Sequence, residues 1–201
     1  MSNFRRVTIR GRWAAGGRAV IVLVAAGVVA AGLAMVLGAT SAPSPDEVAI
    51  QSTIQGALQA RMTLEVPPAR PASGAAAAAM ATQMHARVDA QIGQFYAAGP
   101  THDRMASALH QSIASDSAGQ SRYVAGGVDW VHFDSITINS ADAQVTVHAQ
   151  LWNRQSFTSS TGTTTETNPR SVVVGQYALH RDASGWRITN ELLSIESGDR
   201  P

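Results

Sequence analysis

The sequence contains neither cysteine nor lysine. Without cysteine there can be no disulfide, no thiolate metal site and no lipoprotein-type acylation, so an exported domain must be stable through its packing alone. All 15 basic residues are arginine, and together with frequent alanine, glycine and valine this usage is typical of a GC-rich bacterial genome. The 201 residues have room for one domain with appendages.

Acidic residues are missing from the first part of the chain. Five of the fifteen arginines precede the first acid, Asp46, and the remaining ten stand against fourteen acids, a balance of −4. The formal net charge of +1 therefore combines a basic tail with a mildly acidic remainder. A basic isoelectric point, here near 8.4, would by itself suggest nucleic acid. Since the part that folds is acidic, we expect no nucleic-acid partner.

Residues 19–40 contain no charged side chain and are almost wholly apolar. As a helix rising about 1.5 Å per residue, the 21 residues 19–39 of this run would reach roughly 31 Å, close to the ~30 Å hydrocarbon core of a bilayer. The arginines before it place residues 1–18 in the cytoplasm. We therefore expect a single-pass anchor in the cell membrane that contacts the lipid bilayer through residues 19–40. A linker at 41–44 and an extracytoplasmic domain follow it.

A cleaved signal peptide is the rival interpretation of the same run, because small residues follow it at Ala39, Thr40, Ser41 and Ala42. The run is longer than the roughly 7–15 residues of a signal h-region, and Pro43 suits cleavage after Ala42 poorly. These features favour the uncleaved anchor. Cleavage near Ala42 would instead release a secreted protein.

Three amphipathic helices are predicted after the anchor. Ser44 begins the first with a capping box that Glu47 completes, and Pro45 occupies the first helical position. Apolar residues recur every three to four positions along each helix, which predicts one buried stripe per helix. The stripes are Ile50, Ile54, Leu58 and Met62 in the first helix, Met80, Met84, Val88, Ile92 and Phe95 or Tyr96 in the second, and Met105, Leu109 and Ile113 in the third.

Proline and glycine mark the ends of these helices. Pro67-Pro68 is expected to end the first, Gly99-Pro100 to end the second, and Thr101 to cap the third. Between the first two helices, Ala69–Ala79 is interpreted as a connector that runs into an alanine tract.

After Arg122 the apolar period changes from about 3.6 to 2, which predicts strands. Asn139–Asp142 and Asp182–Gly185 are expected to be turns. The polar, threonine-rich stretch Phe157–Asn168 is interpreted as a loop or a frayed hairpin end. The four expected strands are Val128–Ile138, Ala143–Leu151, Ser171–Arg181 and Trp186–Ile195.

Helices followed by strands indicate an α+β fold. We expect an N-terminal transmembrane helix, then three helices packed on a curved four-stranded antiparallel sheet. The domain should occupy residues 45–197 and leave a short tail at 198–201. Trp186 is expected to pack in the core beneath the helices.

The ending Tyr177-Ala-Leu-His-Arg-Asp-Ala-Ser-Gly-Trp-Arg-Ile188, together with this element order, resembles the NTF2-like superfamily, a cone-shaped α+β fold. One membrane helix before such a domain resembles the Mce-associated membrane proteins of actinobacteria. It also resembles the VirB8/TcpC-type components of conjugation and secretion machines. In those families the domain is a protein-interaction scaffold without catalytic residues. The resemblance therefore implies no cofactor and no catalytic set.

An enzyme is the less favoured interpretation. NTF2-like enzymes of the SnoaL-like isomerase or hydrolase kind place acids, histidines and tyrosines inside the cone, and here His132, Asp134 and Tyr177 are the corresponding candidates. An Asp-oriented His base is conceivable. A sheet strand with one solvated face carries such residues without any catalytic role, however, and no nucleophile or oxyanion donor can be identified.

A metal site is not expected either. His102 and His110 lie eight positions apart and do not share a helical line. His85 and Asp89, at i and i+4, can form a helix-surface pair that needs no metal. Gly126-Gly127 is interpreted as a bend or bulge at the entry to the first strand, not as a phosphate-binding loop.

Trp152 follows Gln150 and His148 on the polar face of the second strand. A tryptophan beside a polar rim is a candidate binding hot spot, although it could equally cover the cone mouth or the end of the first helix. The leading hypothesis is a non-enzymatic, membrane-anchored interaction protein that serves as an accessory subunit of a bacterial envelope transport or secretion assembly. Its partners would be other envelope proteins, or further copies of itself paired through the sheet. The alternative is a small-ligand-binding NTF2-like module with weak hydrolase or isomerase activity.

Overall fold

The computed structural model describes residues 42–67, 74–118 and 121–198. No helix within these ranges is long and apolar enough to cross a membrane. The predicted anchor at residues 19–40 and the arginine-rich tail before it lie outside the described residues.

Three helices precede an antiparallel sheet, which confirms the α+β class. Each strand pairs with the next along the path β1-β2-β4-β5, and the short β3 pairs with the end of β2. The described sheet therefore has five strands where four were predicted. The elements are α1 (Pro45–Thr63), α2 (Ala75–Phe95), α3 (Pro100–Ala118), β1 (Ser121–Asn139), β2 (Asp142–Thr158), β3 (Thr164–Thr167), β4 (Arg170–Asp182) and β5 (Gly185–Gly198).

The start of α1 confirms the predicted capping box. The Ser44 side chain accepts a hydrogen bond from the Glu47 amide at 3.2 Å, and Glu47 accepts one from the Ser44 amide at 2.6 Å. Two backbone donors at the helix end are thereby satisfied. The predicted stripe is buried at Ile50, Ile54 and Leu58.

The starts of α2 and α3 differ from prediction. Helix α2 already begins at Ala75, so the second half of the supposed connector is helical, because alanine has the highest intrinsic helix propensity. Helix α3 begins at Pro100, which leaves Thr101 buried inside the first turn and not at the cap. Gly99, with a φ of 145°, supplies the turn that lets proline open the helix.

Strand β1 begins at Ser121, seven residues before the predicted start, because its first residues pair with the far end of β2. Gly126 and Gly127 are therefore strand residues. A Cβ at Gly126 would overlap the backbone carbonyl of Met62 in α1, and a Cβ at Gly127 would lie 2.9 Å from Nε1 of Trp152. The two glycines let α1 and the indole approach the strand on opposite sides.

The threonine-rich stretch forms a hairpin, in agreement with one of its two predicted interpretations. Phe157 pairs with Thr165 and Thr158 with Thr164, so the end of β2 folds back as β3. This hairpin adds the fifth strand.

One face of the sheet, here called the inner face, packs against the helices. Alternate residues of β2 from Ala143 to Leu151 point to it and are buried, as the sequence predicts. Trp186 is buried there as expected, and its indole donates to Asp46 at 3.1 Å. Arg181 also binds Asp46, at 2.8 Å to each carboxylate oxygen, so the start of α1 is tied to the β4–β5 hairpin.

Candidate functional site

The structure divides the candidate residues between the two sheet faces. Tyr177 points to the inner face and is almost fully buried. His132 pairs with His148 on the opposite side, here called the outer face, and Gln150 lies on that face beside them. The residues proposed for an enzyme therefore do not share one site, because the sheet separates Tyr177 from His132.

A cluster of ionisable side chains lies near the middle of the outer face. Asp134 is the extra residue of a β-bulge in β1, and its carboxylate lies 2.6 Å from Nδ1 of His148. Glu196 of β5 lies 3.3 Å from Nε2 of the same ring, and His132 lies 3.7 Å from Asp134. We call these four residues the outer charged cluster. In the described ranges no group of three His, Cys, Asp or Glu side chains has the arrangement of a metal site.

Apolar side chains border the outer charged cluster on both sides. Trp130 of β1 is 42% exposed, and Leu192 of β5 is 61% exposed. Trp152, the predicted hot spot, is half-buried beside Gly127, and its other cross-strand neighbour is Arg170. The more exposed tryptophan of this face is therefore Trp130, because the glycine gives Trp152 a place to pack.

The inner face holds a buried carboxylate that sequence analysis did not single out. Glu191 of β5 accepts hydrogen bonds from the hydroxyl groups of Tyr96 at 2.9 Å and Tyr177 at 3.3 Å. Arg61 of α1 lies 3.5 Å from the same carboxylate, and Arg104 of α3 donates to the Glu191 carbonyl at 3.4 Å. We call Glu191, Tyr96, Tyr177 and Arg61 the inner polar cluster. It joins α1, the end of α2, β4 and β5.

Burial raises the pKa of both tyrosines of this cluster far above the ordinary value, and the nearby charge of Glu191 raises it further. Both phenols therefore remain protonated donors across the physiological range. Their hydroxyl groups are fixed as hydrogen-bond partners of the carboxylate.

A bulge explains why strand alternation hides Glu191. Trp186 and Ile188 point inward, so a strict period of two would continue inward at Asn190 and turn Glu191 outward. The pairing of β4 with β5 shifts between Ala178 and Leu179, and the extra residue reverses the alternation. The available signal was that Glu191 is the one acidic residue within the predicted final strand, Trp186–Ile195.

Two open clefts lie on the inner face at either side of Arg61. The larger, of about 630 Å³, extends from the end of α1 to the ends of β2, β4 and β5. The smaller, of about 540 Å³, lies between α1, α3 and β5. Arg61 and Leu193 border both clefts, and Arg104 and Glu191 border the smaller one.

The histidines of the helices form a separate contact. His110 of α3 lies 2.9 Å from Asp89 through Nε2 and 2.6 Å from His85 through Nδ1, both on α2. Asp89 is thus bound across the helix interface, where the sequence suggested a pair with His85 along one helix. Inter-helix packing decides this partner.

No protein-family model and no curated protein matches the chain. Among solved structures it resembles the intermembrane space region of the chloroplast protein ARC6. The two share 14% identity, the match covers 77% of this chain and 100% of that chain, and the TM-score is 0.48. It also resembles the Kfla4162 protein from Kribbella flavida, with 14% identity, 77% and 93% covered, and a TM-score of 0.45.

A third solved structure is an NTF2-like protein with a cystatin-like fold from Novosphingobium aromaticivorans. It shares 15% identity with this chain, covers 61% of this chain and 79% of its own, and gives a TM-score of 0.33.

Proposed function

We propose that this protein is a non-enzymatic, membrane-anchored domain that binds a partner protein of the bacterial envelope on the outer face of its sheet. The observation that carries the proposal is the composition of that face, where exposed Trp130 and Leu192 border the outer charged cluster. The apolar run at residues 19–40 supports the anchor. An accessory role in a transport or secretion assembly, on an NTF2-like fold, fits the element order and the ending Tyr177–Ile188.

The chemistry of the outer face indicates the kind of partner. Tryptophan is enriched among the residues that contribute most to binding energy at protein interfaces. Asp134 and Glu196 place two carboxylates between these apolar residues. A complementary partner would present an arginine or lysine opposite them, with apolar contacts to either side.

Site-specific photo-crosslinking in native membranes tests this proposal with the full-length chain. A photoreactive residue at position 130 or 192 should capture one discrete envelope protein. The matched control is position 48, where Val48 on helix α1 is 48% exposed on the other side of the domain. Equal capture from position 48, or no capture from either sheet position, would contradict the proposal. A crosslinked dimer of this chain would identify a second copy as the partner instead.

Charge neutralisation provides a second measurement. Glu196→Gln should weaken the crosslink, because it removes one carboxylate of the outer charged cluster. Glu166→Gln, in the β2–β3 hairpin, removes an acid of similar exposure outside the cluster and should leave the crosslink unchanged.

The anchor is tested separately. Carbonate extraction should leave the full-length chain in the membrane fraction, and N-terminal sequencing should find no product that begins at Pro43. Release of a chain that begins there would establish cleavage after Ala42 and a secreted protein.

A second candidate function, the binding of a small ligand, is favoured by the open clefts beside Arg61 on the inner face. Clefts of about 300–1,000 Å³ are the usual size of small-molecule sites. No reaction is proposed for this site, because His132 and Asp134 lie across the sheet from it.

A further inference from the structure

The larger cleft on the inner face has a single charged side chain at its wall. Of the described residues that line it, Arg61 alone carries a charge, and its side chain is 38% exposed. We call this space the Arg61 cleft. Its chemistry is therefore that of one cation beside otherwise neutral walls.

Arg61 keeps donors that the inner polar cluster does not use. Among the described residues, its ionic contact is with one oxygen of Glu191, at 3.5 Å, and that carboxylate also accepts hydrogen bonds from two tyrosine hydroxyl groups. A guanidinium has five N–H donors in a planar fork, which suits a second carboxylate. Arg61 can therefore hold the interior carboxylate on one side and an anionic ligand on the other.

The charges around the cleft favour an anion over a cation. Arg61 and Arg104 both border the adjoining smaller cleft, where Glu191 is the only acidic residue among the described lining. Two guanidinium groups thus face one carboxylate, which is itself buried. A cationic ligand would meet an excess of positive charge here, while an anion would reduce it.

The remaining walls of the Arg61 cleft are largely apolar and open to solvent. Leu151, Val173, Leu193 and Ile195 line it from three neighbouring strands. Ile195 is 58% exposed although it lies on the side of the sheet that the helices cover elsewhere. An apolar chain laid along these residues would remove them from water and gain stability in proportion to the area covered.

We propose that the Arg61 cleft binds a single apolar chain that ends in a carboxylate, of the medium-chain fatty acid class. The carboxylate lies against Arg61 and the chain lies along Leu151, Val173, Leu193 and Ile195. The ligand class rests on the second candidate function above and does not depend on the partner proposed for the outer face.

The test uses the full-length chain in lipid nanodiscs and a photoreactive octanoate. Ultraviolet labelling followed by peptide mass spectrometry should place the label on the β5 peptide that contains Leu193 and Ile195. Unlabelled octanoate should compete at least tenfold better than octanol, and octylammonium should not compete. Competition by octanol equal to that of octanoate would overturn the anion class while leaving a ligand site in place. Absence of site-specific labelling would overturn both the anion class and the ligand site itself.

Variants separate the head-group contact from folding. Arg61→Gln should weaken octanoate competition at least tenfold, and Arg61→Lys should recover part of the loss because it retains the charge. Arg154→Gln, in the β2–β3 hairpin, removes an exposed guanidinium elsewhere and should change nothing. Ile195→Ser tests the chain contact at an exposed position and should reduce labelling severalfold. Equal competition in the wild-type chain and Arg61→Gln would exclude Arg61 as the anion site.

A phospholipid of the disc is the other source of such a chain. Discs made with anionic phospholipid should label as strongly as discs made with zwitterionic phospholipid if the ligand is the free acid. Loss of octanoate labelling only in anionic discs would show that the cleft takes a lipid headgroup instead, and would overturn the fatty acid assignment.

Discussion

Removing one hydroxyl group from the inner polar cluster should measurably destabilise the fold. Tyr96→Phe keeps the ring in place and deletes the hydroxyl that donates to Glu191 at 2.9 Å. The Glu191 side chain is only 4% exposed, so the variant leaves a largely buried carboxylate with one donor fewer. A hydrogen bond to a charged buried group contributes about 1.5–3 kcal/mol, and we expect a loss in that range.

Tyr177→Phe should cost less, about 1 kcal/mol, because its hydroxyl lies 3.3 Å from the carboxylate. The assay is urea unfolding of the full-length chain in detergent micelles, followed by tryptophan fluorescence. With a urea dependence of about 2 kcal/mol per molar, a loss of about 2 kcal/mol lowers the midpoint by roughly 1 M.

A double-mutant cycle distinguishes the hydrogen bond from ring packing. In a Glu191→Leu background there is no buried carboxylate that could lose its donor, so Tyr96→Phe should be neutral or slightly stabilising there. If Glu191→Leu prevents folding, the double variant Tyr96→Phe/Tyr177→Phe replaces it in the test. Its loss of unfolding free energy should exceed the sum of the losses in the two single variants. The same cost of Tyr96→Phe with and without the carboxylate, or a cost below about 0.5 kcal/mol, would refute the role of the hydrogen bond.

Three further predictions concern backbone packing and pH. Gly126→Ala should cost about 2 kcal/mol or more of unfolding free energy, because the new Cβ overlaps the Met62 carbonyl. Gly93→Ala, in open space on α2, should instead gain about 0.5–1 kcal/mol, and urea midpoints compare the two. The pKa of both tyrosines of the inner polar cluster is raised, so the folded state keeps protons that the unfolded chain loses above about pH 10. As the pH rises above that value, the free energy of unfolding should therefore fall by up to about 1.4 kcal/mol per pH unit for each tyrosine. The double phenylalanine variant should show a flatter alkaline slope. The hydrogen bond from the Trp186 indole lowers the pKa of Asp46. The ionised carboxylate therefore stabilises the folded state above about pH 4, and this contribution is lost as the pH falls through the lower pKa of the folded state. Asp46→Asn should therefore lower the melting temperature at pH 7 and have little effect at pH 2.

Local rules predicted those features whose interactions lie within a few residues of one another. The capping box of α1 closes between Ser44 and Glu47, so its residue types suffice to predict it. The alternation of buried and outward-facing residues in β2 could also be predicted from the sequence, because side chains of a regular strand point to opposite faces in turn. Both features were confirmed.

Features that depend on a distant partner were missed or displaced. Strand β1 begins early because Ser121 pairs with Phe157, which no local pattern reveals. The position of Glu191 depends on a bulge set by pairing with β4. Asp89 binds His110 on the neighbouring helix in preference to His85 on its own.

The sequence by itself determined the α+β class, the three helices and their buried stripes, because each follows from periodicity, capping and turn residues along a short stretch of chain. Only the tertiary structure decided what the two sheet faces carry. Pairing and bulges place Asp134 and Glu196 around His148 on the outer face, and they turn Glu191 inward between Tyr96 and Tyr177. These placements required the tertiary structure because one extra residue in a strand reverses the direction of every side chain that follows it.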